Sequence, residues 1–206
     1  MIDFCVLGSG IAGSTIANLL SKKYSVHVFD KARGAGGRSS NKKLKGNLSF
    51  DHGVQYISPK TKVFTKIIQK LSKKKILKIW DGNHLDVTFE KKTLTPKYIG
   101  VKANNALSKY YLKNIKTFFS SQIVKIENKK YFWEITLDNS SKHQFKALIL
   151  TCPFPQLKKL AGRYLEKKVS NLKIQMQPNI TVMIASTNKK ELPISSIKFD
   201  DNVLSW

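Results

Sequence analysis

Ile2-Asp3-Phe4-Cys5-Val6-Leu7-Gly8-Ser9-Gly10-Ile11-Ala12-Gly13 opens the chain, and its reading decides the fold. The first six residues form an apolar run of strand length. Ile11 to Leu20 then carries apolar residues at helical spacing. The chain between them must turn sharply. Gly8 permits the turn, Gly10 lets a pyrophosphate approach the backbone, and Gly13 lets the helix pack close on the strand. The N–H groups of Ile11, Ala12 and Gly13 then face the phosphates, with about half a unit of positive charge behind them. A second strand, Ser25-Val26-His27-Val28-Phe29, ends in Asp30. That carboxylate follows at about the spacing (~20 residues) at which an acid accepts from ribose hydroxyls.

Two more glycine-bearing segments follow in order. Asp30-Lys31-Ala32-Arg33-Gly34-Ala35-Gly36-Gly37-Arg38 holds two of the three arginines of the chain. Its glycines allow close backbone approach, and Arg38 offers a planar, multidentate donor to phosphate or carbonyl oxygens. Phe50-Asp51-His52-Gly53-Val54-Gln55-Tyr56 is the third. The first segment alone suggests a dinucleotide, and the three together suggest FAD. His52 reads as a structural hydrogen-bonding residue, because hydride transfer to a flavin needs no protein base.

These motifs resemble the flavin-containing amine oxidase superfamily, and within it the renalase-like FAD-dependent oxidoreductases. The resemblance implies that Asp30 and Lys31 lie at the adenosine ribose. It sets Arg33, Gly36, Gly37 and Arg38 against pyrophosphate and ribityl. His52, Gly53, Val54, Gln55 and Tyr56 run beside the isoalloxazine ring, and Tyr56 helps wall the pocket. By the same resemblance the backbone of Val124 touches adenine. The run Leu148 to Gln156, with Thr151 and Pro153, matches the strand that leaves the FAD domain. The implied fold is α/β: a Rossmann-like FAD-binding domain, with a parallel sheet plus β-meander, and an inserted, incomplete α+β substrate domain.

The rest of the chain fits that division. Residues 1–56 form the first part of the FAD-binding domain and 57–101 the first part of the substrate domain. Residues 102–156 complete the FAD side with the β-meander, and 157–206 return to the substrate domain. Val63, Phe64, Ile67, Ile68 and Leu71 mark a helix over Thr61 to Leu71. Ile76 to Trp80 and Leu85 to Phe89 alternate like strands, with Asp81-Gly82-Asn83-His84 as a turn between them. A helix is expected over Asn104 to Leu112, lying over Ile115 to Phe119. Strands are expected over Gln122 to Ile126, Tyr131 to Leu137, and from His143 to Thr151. The apolar, β-branched stretch Met176 to Ala185 reads as a further strand. Relatives often carry a glycine-methionine pair where this chain has Lys102-Ala103, which weakens any transfer of ring contacts there.

Composition narrows the function. The chain has 206 residues and a formal net charge of +24. Of its 37 basic residues three are arginines, and the lysines are spread over nearly every segment. Phosphate-reading proteins use arginine forks as well, so nucleic acid is not expected as a partner. No stretch is apolar and long enough to span a bilayer, and no signal peptide precedes the first strand, so a cytoplasmic protein without a membrane partner is expected. Cys5 and Cys152 read as reduced, buried thiols, and no metal site is expected.

The resemblance implies an oxidoreductase that takes a hydride from a small, anionic or aromatic substrate to flavin N5, with reoxidation by oxygen. Isomeric dihydronicotinamide dinucleotides are the implied donors. The alternatives are an amine-oxidising enzyme of the superfamily and a truncated, non-catalytic nucleotide-binding module. Relatives add a C-terminal glycine-acid segment that closes the cofactor site. This chain lacks it, and is expected to bind FAD weakly or not at all by itself.

Overall fold

The computed structural model describes residues 1–45, 48–86, 96–185 and 193–199. β1 (Ile2–Leu7) leads through the glycine turn into α1 (Ile11–Leu20) and returns as β2 (Val26–Phe29). A short hairpin follows, β3 (Asn41–Lys43) and β4 (Ser49–Asp51). Then come α2 (Lys62–Lys73), β5 (Leu77–Ile79), β6 (His84–Asp86) and β7 (Tyr98–Gly100). α3 (Ala106–Leu112) and β8 (Lys116–Phe118) lead into a meander of β9 (Ile123–Asn128), β10 (Trp133–Leu137) and β11 (Lys142–Leu150). The chain continues through α4 (Phe154–Ala161), α5 (Lys167–Ser170) and β12 (Ser196–Lys198).

One six-stranded sheet, in the order β8-β2-β1-β11-β10-β9, organises the molecule. β1 pairs parallel with both β2 and β11, and β2 pairs parallel with β8. β11 belongs to two ladders. Residues 142–145 pair antiparallel with β10, and residues 145–150 pair parallel with β1. One nine-residue strand thus joins the meander to the parallel half. This is the mixed α/β, largely parallel sheet that the βαβ opening implies.

Side-chain alternation assigns the two faces. Val6, Val26 and Val28 pack with Ala17, Ala35 and Leu112 beneath α1 and α3. Cys5, Phe29, Ile126, Ile135 and Phe145 point the other way, where Leu157, Leu160 and Ala161 of α4 cover them. Phe29 stacks on Phe118 at 4.6 Å between centroids and meets Phe145 edge-on at 5.9 Å. Burial at Cys5 pushes its thiol well above the ordinary range, so it acts as a small apolar side chain. A separate cluster joins Ile57, Ile68, Leu71, Leu77, Tyr98 and Leu107. α3 contributes to both that cluster and the one under α1.

The structure departs from the sequence expectations in three places. Met176 to Ala185 forms no strand: it is irregular, and Ile180 is 91% exposed. β-branched composition suits a ladder only where a partner strand supplies hydrogen bonds, and no described strand pairs there. The two strands around Asp81–His84 do not form a hairpin. β5 pairs antiparallel with β7, and β6 pairs parallel with β12. Gly82 (φ +136°) packs on Ser195, while Asn83 donates to the Pro193 carbonyl and accepts from Ser195 N, so the partner of β6 comes from far along the chain. Residues 87–89 of that expected strand lie outside the described residues. Finally, Ile115 to Phe119 contains the strand β8, which pattern reading did not identify.

A charge cluster ties the start of the sheet. Lys146 Nζ lies 2.8 Å from Asp3, and Asp3 also accepts from the N–H and hydroxyl of Ser25. The ammonium of Lys146, then the Ser25 donors, hold the Asp3 carboxyl far below the usual carboxylate range. A depressed folded-state value stabilises the fold above the unfolded carboxylate pKa of about 4 and is lost as pH falls through the folded value. Asp3→Asn is therefore expected to lower Tm at neutral pH. The gap to the parent should narrow only in acid, below the ordinary carboxylate range, as read by thermal melts across pH.

Candidate cofactor site

The first glycine turn is built by close contact. Gly8 has φ +106°, and a Cβ on it would lie 2.7 Å from Thr151 Oγ1. A Cβ on Gly13 would sit 1.9 Å from the Gly8 carbonyl oxygen and 2.8 Å from Thr151 Oγ1. These two glycines are fixed by protein packing. Gly10 differs: the nearest protein atom to a Cβ there is 3.7 Å away. Its backbone geometry suits any residue, so packing within the chain does not demand a glycine. α1 starts at Gly10 with no side-chain cap and no acidic residue in its first turn. The N-terminal donors of this helix, at Ile11, Ala12 and Gly13, suit an anion.

The second segment docks directly on the first. Gly36 N donates to Ser9 O at 3.0 Å, and Gly10 and Gly36 form a parallel bridge. A Cβ on Gly37 (φ +54°) would come within 3.1 Å of Gly10 Cα. The third segment then docks on the second. Val54 N donates to Arg38 O at 3.0 Å, and a Cβ on Gly53 would fall 2.0 Å from that same oxygen. Three segments separated in sequence are thus one continuous strip of backbone. Lys31, Arg33 and Arg38 stand exposed along it.

Asp30 sits at the C-terminal end of β2 with much of its carboxylate already engaged. Oδ2 accepts from Ser9 N at 2.7 Å and Ser9 Oγ at 2.5 Å, and Oδ1 accepts from Ala32 N at 2.8 Å. A carboxylate takes about four hydrogen bonds, which leaves room for one ribose hydroxyl. The Thr151 hydroxyl donates to Leu7 O at 2.8 Å, where it locks the end of β11 to the end of β1. Pro153 caps the N-terminus of α4. Val124 is the bulged residue of β9: the ladder pairs Ile123 with Leu137 and Lys125 with Thr136 and passes over it. A bulge leaves the backbone of its extra residue unpaired, as a ligand contact there requires. His52 Nε2 lies 3.3 Å from Ser40 Oγ, and its carbonyl accepts from the Thr181 hydroxyl at 2.9 Å, a structural setting for that imidazole.

Pattern reading missed the residues that hold the strip together. Asn104 is 2% exposed and fully satisfied. Its Nδ2 donates to Val54 O at 2.7 Å and Gln55 O at 2.8 Å, its Oδ1 accepts from Gly100 N at 2.9 Å, and its own N–H donates to Asp51 Oδ1 at 3.0 Å. Asn105 donates to Ala35 O at 3.2 Å, and its Cβ lies against Gly36. Two adjacent asparagines therefore clamp the second and third segments from the start of α3. The one available signal was an Asn-Asn pair beside an apolar helix.

Two substitutions separate packing from binding. Gly13→Ala should fail to fold, whereas Gly10→Ala should fold with a nearly unchanged melt, as circular dichroism reads. Asn104→Ala leaves the buried Gly100 N–H and the half-buried carbonyls of Val54 and Gln55 without this partner. It should cost about 3 kcal/mol or more in urea denaturation.

Comparison with known proteins bears on the fold. Residues 6–71 match a family described as an NAD(P)-binding Rossmann-like domain. Renalase of Mus musculus is 30% identical, in an alignment that covers 76% of this chain and 48% of renalase. The chain spans about half the length of that relative. A putrescine oxidase triple mutant superposes with a TM-score of 0.61 at 12% identity, over 82% of this chain and 62% of that one. A protoporphyrinogen oxidase, so described, from Exiguobacterium sp. 255-15 gives a TM-score of 0.61 at 9% identity, over 82% and 63%. At such identities the two structures speak for the fold alone. The chain is thus similar to renalase over three quarters of its length, and it is built on a Rossmann-like dinucleotide-binding domain with the fold of putrescine and protoporphyrinogen oxidases.

Proposed function

We propose that this chain is the cofactor-holding part of an FAD-dependent oxidoreductase acting on a small reduced substrate. The observation that carries the reading is the continuity of the three glycine segments. An NAD site needs the first of them. A strip that runs from Gly10 through Gly36 and Arg38 to Gly53 suits a longer cofactor, with a planar ring system at its far end.

The chain's own residues divide the work. Gly8 and Gly13 bring α1 against β1, so that the N–H groups of Ile11, Ala12 and Gly13 meet the pyrophosphate beside the open face of Gly10. Asp30 accepts from the ribose, and Lys31, Arg33 and Arg38 balance phosphate charge along the strip. Gly36 and Gly37 keep the backbone clear of the ribityl. Gly53, Val54 and Gln55 flank the ring, with Tyr56 at its rim. Val124 backbone reaches the adenine, and Thr151 and Pro153 shape the mouth where β11 ends. Bound FAD would supply the hydride acceptor. His52 orients the loop through its Ser40 and Thr181 contacts and moves no proton. Residues 1–56 and 102–156 would make up the cofactor side, on whose sheet α4 also packs through Leu157, Leu160 and Ala161, with residues 57–101 and the chain beyond α4 on the substrate side.

Binding tests this directly. Titrating the chain at high concentration into FAD should quench flavin fluorescence, with NAD failing to compete. Gly10→Ala should weaken FAD at least about tenfold, a loss of about 1.4 kcal/mol, while keeping its melt. Unquenched FAD together with NAD binding would replace the flavin reading with an NAD-dependent one. Where FAD does bind, bleaching of the flavin by amines alone would redirect the substrate assignment to amine oxidation.

A further inference from the structure

Tyr56, the last residue of the third segment, continues into a small sheet that the cofactor strip does not use. Ile57 bridges antiparallel to Tyr98, and Tyr98 pairs with Ile79. The ladder extends one residue further, since Trp80 N donates to Lys97 O at 2.8 Å. With a period of two, Ile57 and Tyr98 turn inward to the core, and Tyr56, Lys97 and Trp80 share the opposite face. Their contacts agree. Lys97 Nζ lies 4.8 Å from the Tyr56 ring centroid, and the Tyr56 and Trp80 rings are 6.1 Å apart, tilted at 45°.

This face is held rigidly from behind. His84 is buried, with Nδ1 2.8 Å from Ser196 Oγ and Nε2 3.0 Å from the Trp80 carbonyl. Its ring meets Trp80 edge-on at 4.7 Å, which fixes the indole. Asn104 fixes the other end through Gln55 O. Lys97 is unlike the many surface lysines of this chain. Burial lowers its pKa, as burial raises that of Tyr56 beside it. Among the described residues no carboxylate forms an ion pair with it. Beside a ring face, and with no carboxylate paired to it among the described residues, a partly dehydrated ammonium is under-compensated, and an incoming anion would complete it.

We propose that Tyr56, Lys97 and Trp80 form a substrate subsite for a planar aromatic ring bearing an anionic group. The rings stack the planar part, and Lys97 takes the carboxylate or phosphate. This deepens the oxidoreductase reading and rests on it, because it sets the subsite at the end of the segment assigned to the flavin.

Nicotinate, nicotinamide and nicotinamide mononucleotide separate the contributions, with the Trp80 indole N–H signal in nitrogen-15 NMR as readout. Trp80→Phe assigns that signal. Nicotinate or the mononucleotide should shift it at lower concentration than nicotinamide, and which of the two binds more tightly tells carboxylate from phosphate recognition. Lys97→Met should weaken the anionic ligand about fivefold or more and leave nicotinamide within about twofold, and Lys97→Arg should restore the preference. Equal binding of all three probes, or anion binding indifferent to Lys97→Met, overturns the subsite. Should Lys97→Met not fold, loss of the anion preference in Lys97→Gln supports the subsite and its retention overturns it. FAD titration of the same samples reads the cofactor assignment separately, so a failure of either is distinguishable from a failure of the other.

Discussion

The architecture depends on how closely α1 can approach the end of β1. At the crossing, the Gly8 carbonyl, the bare Cα of Gly13 and the Thr151 hydroxyl occupy space that a single methyl group would fill. That contact sets the tilt of α1 and hence the direction of its N-terminal donors. It also couples sequence positions that are far apart. Thr151 reaches the crossing only because β11 leaves the meander, runs parallel to β1 and ends level with Leu7. The glycine turn is therefore a product of the whole sheet, although its glycines lie within six residues of each other.

From this crossing the site grows outward by backbone docking. Each glycine segment makes room for the carbonyl or Cα of the one before it, and side chains enter mainly as clamps. Asn104 and Asn105 are those clamps, and α3 carries them because it packs against α1. A buried side-chain amide that satisfies three backbone groups is costly to lose, since the groups it covers are themselves buried or half-buried. Beyond Tyr56 the character changes from glycine and backbone to aromatic rings and a half-buried lysine. This is the change expected where a site passes from holding a fixed cofactor to selecting a variable ligand.

Much of this was legible in the sequence because the determinants are local. An apolar run, a glycine turn and a helical period specify β1, α1 and β2 within thirty residues of chain. The helix over residues 62–73 announced itself through Phe64, Ile68 and Leu71, with Thr61 as its N-cap. What stayed hidden depends on distant partners. β8 is three residues long and is a strand only because β2 lies beside it. β6 owes its ladder to β12, more than a hundred residues later. The β-branched run at residues 176–185 shows the converse, strand-like composition without a partner. Asn104 was invisible for a related reason: a polar residue declares its importance through the groups it satisfies, and these lie on residues 51–55 and on Gly100.

The central claim is that the three glycine segments receive one extended cofactor. Backbone amide shifts measured while the chain is titrated first with ADP-ribose and then with FAD test it most directly. ADP-ribose should move Gly10 to Gly13 and the Gly36 to Arg38 stretch and leave Gly53 to Gln55 still, and FAD should move all three. Amides at Gly53 to Gln55 that ignore FAD, while those near Gly10 respond equally to both ligands, would contradict the account.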